Sequence, residues 1–181
     1  ISGKPFNRER IDGTVAALTD SRLLTGEGLL TQERDSTWWD RSTLYAIRGI
    51  FNAGHADKAA EMLRHFSGRR LLSEHVPYPV EAYPEGSGSM RHLSAESGLY
   101  CLAVIEGLFG IRPCGLSSFE LTPSLPSAWK KISLGHIKAF GKDFSIQVED
   151  TGDTYGITLS STEGLKSSYS IKKGKTLKIN L

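Results

Sequence analysis

The sequence predicts an α+β protein of 181 residues in which a helical part comes first and an antiparallel β part follows. Apolar residues recur at helical spacing up to about residue 112, and from about residue 113 they alternate with polar residues. Turn signals with glycine separate the alternating runs, as in Phe140-Gly141-Lys142 and Thr151-Gly152-Asp153. We therefore expect two domains, residues 1–112 and residues 113–181.

Three helices are predicted before residue 70. The first follows Asn7, which is a suitable N-cap residue. The second runs from Asp40 to Ala53, with Gly54 as the C′ residue that terminates it. The third runs from about Ala56 to Phe66. Because only a short linker separates the second and third helices, they should pack as an antiparallel hairpin.

A fourth helix is predicted from Ser94 to Phe109. It is apolar on nearly every side, a pattern typical of a helix that neighbours cover on every side. Glu96 in its first turn suits the positive end of the helix dipole. The helical part has only four predicted helices including this one, and the others are too few to cover it. We therefore expect the helical part to be a portion of a larger helical assembly.

About six strands and no helix are predicted in the second part. Because their apolar residues alternate with polar ones, we expect an antiparallel meander with one solvated face. Lysines cluster near the C-terminal end, where they fit a solvated face and protect a sheet edge against further pairing. The apolar positions that define these strands are Phe119, Leu121, Ile132, Leu134, Phe144, Ile146, Val148, Tyr155, Ile157, Leu159, Ile171, Leu177 and Ile179.

Composition and charge argue against several classes of function. The chain has 22 basic and 20 acidic residues, a net charge of +2 that is too balanced to favour nucleic acid or an anionic membrane surface. No apolar run is long enough to span a bilayer. Two cysteines, Cys101 and Cys114, form neither a disulfide framework nor the spacing of a zinc site. We expect no metal or organic cofactor. The chain begins at Ile1 with no signal-peptide pattern, which leaves its location open, with a secreted or periplasmic protein as the working expectation.

The loop before the fourth helix holds most of the residues with chemical potential. Tyr83-Pro84-Glu85-Gly86 is followed by Arg91-His92-Leu93-Ser94, and Glu81 and Glu74 lie upstream. A polar loop held by a rigid buried helix is a common way to build a site. Acid/base hydrolysis of a glycoside needs two carboxyl groups on opposite sides of the bond. This loop supplies one half of such a pair.

A second group of candidate binding residues lies where the second helix begins. Trp38 and Trp39 follow Arg34 and precede Asp40. An aromatic ring at the mouth of a loop can stack on a sugar, while Arg34 and Asp40 can bind hydroxyl groups. Alternatively, one tryptophan belongs to the core and the other covers the helix start, and Asp40 is the N-cap of the helix.

Three segments resemble the C-terminal end of six-hairpin (α/α)6-barrel glycosidases, the clan of glucoamylase-like enzymes, glycoside phosphorylases and rhamnosidases. Gly54–Ala59 resembles the turn inside one helical hairpin of the barrel. Residues 91–109 resemble the final inner helix, which is entered from a Pro-Glu-Gly loop. Residues 108–129, with the pattern LFGIRP…F.L.P.LP..W, resemble the passage into a trailing β-domain and are the most specific of the three. The resemblance covers about residues 36–148.

The resemblance implies a partial (α/α)6 toroid, formed by the last helical hairpins, followed by a small antiparallel β-sandwich-like domain. It implies inverting hydrolysis of a glycosidic bond, with the general base in loop 74–92 and the general acid outside this chain. Glu85 matches the position of the base, and Glu81 and then Glu74 are the alternatives. The residues expected to bind substrate are Trp38, Trp39, Tyr83, His92, Glu74 and Arg34.

The resemblance also implies partners and leaves alternative functions open. The partners are an oligo- or polysaccharide and the remaining barrel helices, supplied by the parent chain, a second chain or an oligomer. A phosphorylase would bind phosphate near the same loop through Ser87–Ser89 and His92. A polysaccharide lyase would use His92, Tyr83 and Arg91. A third alternative is a carbohydrate-binding or structural module without catalysis.

Overall fold

The predicted helices are present in the computed structural model, which describes residues 7–34, 36–72, 82–83 and 94–181. The chain forms two compact units, Ile1–Ala103 and Val104–Leu181. Within the described residues the α-helices lie in the first unit, and the longer antiparallel strands lie in the second. The mixed α+β class predicted from the sequence is therefore confirmed. The helices are α1 (Arg8–Leu18), α2 (Asp40–Asn52), α3 (Ala56–Arg70) and α4 (Ser94–Leu102).

Helices α2 and α3 form the antiparallel hairpin that the short linker predicts. Gly54 has a φ of +81°, and the N–H of His55 donates to the carbonyl of Ile50 over 3.1 Å, the hydrogen bond of a Schellman motif. At the other end of the hairpin, Arg70 Nε donates to Asp40 Oδ1 over 2.8 Å. The end of α3 therefore lies beside the start of α2, and α3 extends beyond the predicted Phe66.

Apolar side chains at helical spacing explain why this hairpin forms. They line the facing sides of α2 and α3 and are removed from solvent. Burial of each large side chain among them stabilises the fold by roughly 1.5–3 kcal/mol before the cost in conformational entropy. The buried apolar residues of the two helices are Leu44, Ile47, Ile50, Phe51, Ala59, Met62, Leu63 and Phe66.

Helix α1 is tied to the turn of this hairpin mainly by polar contacts. Asn7 caps it through its side chain, as predicted. Val15 is the residue of α1 that is buried. His55 Nε2 lies 2.8 Å from Asp12 Oδ1, and Arg8 Nη1 donates to the carbonyl of Ala53 over 2.8 Å. His55 thus has a structural role at this turn.

Two pairs of short strands also belong to the first unit. Strand β1 (Leu24–Thr25) pairs with β2 (Gly28–Leu29), and β3 (Trp38–Trp39) pairs with β4 (Ala82–Tyr83). The sequence predicts only helices and loops in this region. Two residues are too few for alternation to be visible, so the prediction misses these strands.

The predicted fourth helix consists of α4 and a π-helical segment, Ala103–Leu108. In this segment the N–H of Phe109 donates to the carbonyl of Val104 over 3.0 Å. Leu99, Leu102 and Ile105 are only half-buried, and Cys101 is exposed. The described residues therefore do not cover this helix on all sides. Both cysteines, Cys101 and Cys114, are free and exposed.

The second unit contains two antiparallel sheets. The strands are β5 (Ile111–Pro113), β6 (Ser118–Leu121), β7 (Lys131–Ala139), β8 (Lys142–Asp150), β9 (Thr154–Ser161), β10 (Lys166–Lys172) and β11 (Leu177–Asn180). Strands β7 to β10 form the expected meander, and β6 lies between β5 and β11 in the other sheet. The ring of Phe119 in β6 stacks on the ring of Phe144 in β8, with 5.8 Å between centroids. The two sheets thus share an aromatic core.

Turn chemistry explains the register of the meander. Phe140 and Gly141 have φ values of +57° and +72°, the pattern of a type I′ turn that joins β7 to β8. A bulge follows Leu134 in β7, where His136 has a φ of +55°. With this register the apolar side chains of β8 and β9 face the core while their neighbours face outward.

Candidate functional site

The start of α2, the start of α4 and the pair β3–β4 lie together at one end of the first unit. Trp38 pairs with Tyr83 across the two strands, and Trp39 occupies the N-cap position of α2. Arg41 in the first turn of α2 reaches Glu96 in the first turn of α4, with 2.8 Å between Nη2 and Oε1. Segments that are distant in the sequence therefore form one surface, which we call the helix-start site (residues 38–41, 82–83, 96 and 97).

The two tryptophans of this site have different environments. Trp38 is half-buried, and its indole Nε1 donates to Thr25 Oγ1 over 2.9 Å, which fixes the ring in place. Trp39 is 39% exposed. One tryptophan is thus anchored in the fold, and the other presents its ring to solvent. An exposed aromatic ring of this kind suits stacking on a sugar.

Arg41 and Glu96 form an ion pair of unequal exposure. The Glu96 side chain is fully buried, whereas the Arg41 side chain is 45% exposed. Both Nε and Nη2 of Arg41 contact the same oxygen, Glu96 Oε1, at 2.9 and 2.8 Å. Within the part of the chain that the structure describes, Glu96 Oε2 and Ser97 Oγ are buried without a hydrogen-bond partner. Arg41 is not among the site residues predicted from the sequence, because an acidic residue in an otherwise apolar helix does not identify its partner.

A second ion pair, between Asp40 and Arg70, lies inside the unit. The exposed fractions of the two side chains are 1% and 4%, and Arg70 Nη2 also donates to the carbonyl of Glu27 over 3.2 Å. The prediction that Asp40 is the N-cap of α2 is wrong, because Trp39 occupies that position. Asp40 is also too deeply buried to bind the hydroxyl groups of a ligand. The reason is that α3 extends to Arg70, whose guanidinium neutralises the carboxylate in the interior.

A pocket of about 240 Å³ lies between the β1–β2 turn and α3. His65 Nε2 lies 2.8 Å from the carbonyl of Gly26, and Arg69 pairs with Glu27 across its rim. No motif in the sequence indicates this pocket. Its charged and polar lining comprises Thr25, Glu27, Thr43, Lys58, Glu61, Arg64, His65, Arg69 and Arg70.

Some of the predicted site residues lie within the described part of the chain and others lie outside it. The strand β4 that contains Tyr83 brings the backbone of the predicted loop to the helix-start site. Arg34 is exposed and has a φ of +67°, and its predicted role in binding hydroxyl groups stays a prediction. The candidate residues Glu74, Glu81, Glu85 and His92 lie outside the described residues.

The described residues contain neither a metal-binding cluster nor a membrane-spanning helix. No cluster of three or more His, Cys, Asp or Glu side chains there is arranged to hold a metal ion. Among the described helices, none has the length and hydropathy needed to cross a membrane. Comparison of the chain with protein-family models, curated proteins and solved structures finds no match.

Proposed function

We propose that this chain is the C-terminal portion of a glycoside hydrolase that cleaves O-glycosidic bonds by an inverting acid/base mechanism. The observation that supports this best is the meeting of β3, β4 and the first turns of α2 and α4 at the helix-start site. The tryptophan pair, the strand that leads into Pro84-Glu85-Gly86 and the helix that follows the loop share this end of the unit. The resemblance to (α/α)6 glycosidases implies that the general base lies in the loop between this strand and this helix.

The described carboxylates narrow the choice of general base. Asp40 and Glu96 lie at this end of the unit, but both are buried and each is paired with an arginine. A base that activates water must reach solvent or substrate. The resemblance places the base in the preceding loop, with Glu85 first and Glu81 and Glu74 as alternatives. In our proposal Glu85 deprotonates the attacking water, and a carboxylic acid outside this chain protonates the leaving oxygen.

The helical part would need further helices as partners. The (α/α)6 toroid would be completed by further helices from the parent chain, a second chain or an oligomer. The half-buried apolar residues Leu99, Leu102 and Ile105 support a need for such neighbours, because exposed apolar surface is unfavourable in water. The substrate would be an oligo- or polysaccharide at the helix-start site.

The test compares carboxylate variants of the complete natural polypeptide on oligosaccharide substrates. Glu85→Gln should lower kcat by at least about 10²-fold with little change in KM, because the amide keeps the size of the side chain but cannot accept the proton. Added azide should partly restore turnover and give a glycosyl azide of inverted configuration. Glu163→Gln, on an exposed turn of the β unit, is the matched control and should behave as the native protein.

Two results would contradict this assignment. Near-native activity of Glu85→Gln together with an inactive Glu81→Gln would place the base at Glu81. If neither variant is affected while His92→Ala abolishes a phosphate-dependent reaction, the protein is a phosphorylase and needs no carboxylate base.

A second candidate function is carbohydrate binding without cleavage. It is favoured by the exposure of Trp39, two residues before Arg41, and by the fact that the described carboxylates of the site, Asp40 and Glu96, are already paired. Affinity for oligosaccharides that is lost in Trp39→Ala, with no product formed by the native protein, would support this function instead.

A further inference from the structure

The environment of Glu96 is unusual for an ion pair that serves stability alone. Its side chain is fully buried, yet among the described residues only Oε1 has a partner, and that partner is Arg41. A buried carboxylate is costly unless both of its oxygens are satisfied. Buried polar groups without partners are rare and concentrate at functional sites. At the next position, Ser97 Oγ is also buried without a hydrogen-bond partner among these residues.

The geometry of Arg41 indicates what the pair does. Nε and Nη2 converge on one carboxylate oxygen, so Glu96 holds one edge of the guanidinium in a fixed orientation. A guanidinium has five N–H donors, and those on the opposite edge point away from Glu96. The Arg41 side chain is 45% exposed. The exposed edge therefore lies at the surface, two residues along the chain from the exposed ring of Trp39.

We propose that Arg41 contacts a ligand at the helix-start site by donating hydrogen bonds to the hydroxyl groups of a neutral sugar. Glu96 is the positioning residue that orients it. This inference rests on the proposed function, because it names the substrate class of the same site.

Charge compensation favours a neutral sugar over an anionic ligand. Glu96 cancels the charge of Arg41, so the pair presents oriented donors without net charge. Phosphate and uronate are bound by arginines whose positive charge is available to the ligand. Hydroxyl groups accept hydrogen bonds from a neutral pair, and the face of Trp39 suits the apolar side of a sugar ring.

The test measures binding by calorimetry with the complete natural polypeptide. The probes are neutral tetrasaccharides of glucose, xylose, mannose and galactose in α and β linkage, together with trigalacturonate as an anionic probe. Arg41→Lys should weaken binding of the preferred neutral probe at least about tenfold, because lysine cannot keep the two-contact orientation on Glu96. Arg64→Lys, at an exposed position of α3, is the matched control and should leave both affinity and melting temperature unchanged.

The variant Glu96→Gln tests whether Glu96 orients Arg41 for ligand binding or only stabilises the fold. It should weaken binding of the neutral probe and increase the affinity for trigalacturonate, since the charge of Arg41 is no longer cancelled. A purely structural role would weaken binding of both probes alike, which would overturn the inference.

The remaining outcomes separate this inference from the proposed function. If the native protein binds a neutral probe and Trp39→Ala weakens that binding while Arg41→Lys and Glu96→Gln do not, the role of Arg41 is overturned and the proposed function stands. If the native protein binds none of the neutral probes, the proposed function fails, and the inference fails with it.

Discussion

At the scale of single residues, the pair Asp150–Lys173 shows how one carboxylate secures a turn of the β unit. Lys173 Nζ lies 2.8 Å from Asp150 Oδ1, and the N–H of Gly152 donates to the same oxygen over 2.9 Å. The hydrogen bond from Lys173 and then that from Gly152 hold the pKa of Asp150 below its ordinary value of 3.8. The ionised form is thus favoured in the folded protein.

This shift predicts a loss of stability in acid. A carboxylate whose pKa is lowered by folding stabilises the fold above its unfolded pKa, and that contribution is lost as the pH falls through the folded pKa. The melting temperature of the β unit should therefore decrease as the pH falls below 3.8. Asp150→Asn should reduce this decrease, as measured by thermal unfolding across the acid range. Glu163→Gln should retain the native pH dependence, and an identical profile for Asp150→Asn would contradict the assignment.

Asp40 marks the limit of what sequence reasoning can say about a single residue. An aspartate at a predicted helix start has a standard interpretation as an N-cap, and the position of the helix was predicted correctly. The orientation of the side chain depends on Arg70, which lies 30 residues away. No local pattern contains that information, because the partner arrives only when the hairpin closes.

At the scale of elements, Gly110 allows the chain to pass from the π-helical segment into β5. It has a φ of +65°, and a Cβ at this position would lie 2.0 Å from the carbonyl oxygen of Thr122. The N–H of Thr122 donates to the carbonyl of Gly110 over 3.1 Å. Only a residue without a side chain fits both the backbone conformation and this close approach.

Alanine substitutions can separate these two effects. Gly174 has a φ of +75° but no atom within 4 Å of a Cβ, so Gly174→Ala measures the backbone cost alone, roughly 1–2 kcal/mol. Gly110→Ala adds the clash with Thr122, and we expect it to destabilise by roughly 1–3 kcal/mol more. Urea unfolding followed by circular dichroism measures the difference. Equal effects of the two substitutions would mean that the contact with Thr122 is not tight in solution.

The predictability of each element follows from its length. Helices α2 and α3 and strands β8 and β9 bury one face over several periods, so their pattern is visible in the sequence. Strands β1 to β4 contain two residues each and depend on partners elsewhere in the chain. The change from α4 to π-helix also leaves no periodic signal.

At the scale of the whole molecule, the second unit has a core of its own. Phe119, Phe144 and Ile157 are buried in it, and its sheets pair antiparallel from β5 to β11. We therefore expect a fragment comprising residues 104–181 to fold cooperatively by itself, with a circular dichroism spectrum of β type. An unfolded fragment, or one with substantial helix, would show that the unit depends on the rest of the chain.

The class of the protein was predictable because the hydrophobic period changes once along the chain. The candidate site was predictable only in part. Trp38 and Trp39 pair with the strand that contains Tyr83, whereas the candidate carboxylates of the loop lie outside the described residues. The pair Arg41–Glu96 was missed because a contact between two helix starts is a property of packing, and each residue alone has an ordinary place in a first turn.

The same ion pair also bears on the order in which the first unit assembles. The contact between Asp40 and Arg70 joins residues 30 apart in the sequence, whereas the contact between Arg41 and Glu96 joins residues 55 apart. Loop closure costs more entropy for longer loops, by about 0.6 kcal/mol per doubling. Once the hairpin has formed, the second closure spans a much shorter effective loop. We therefore expect the contact between Arg41 and Glu96 to form after the hairpin has closed.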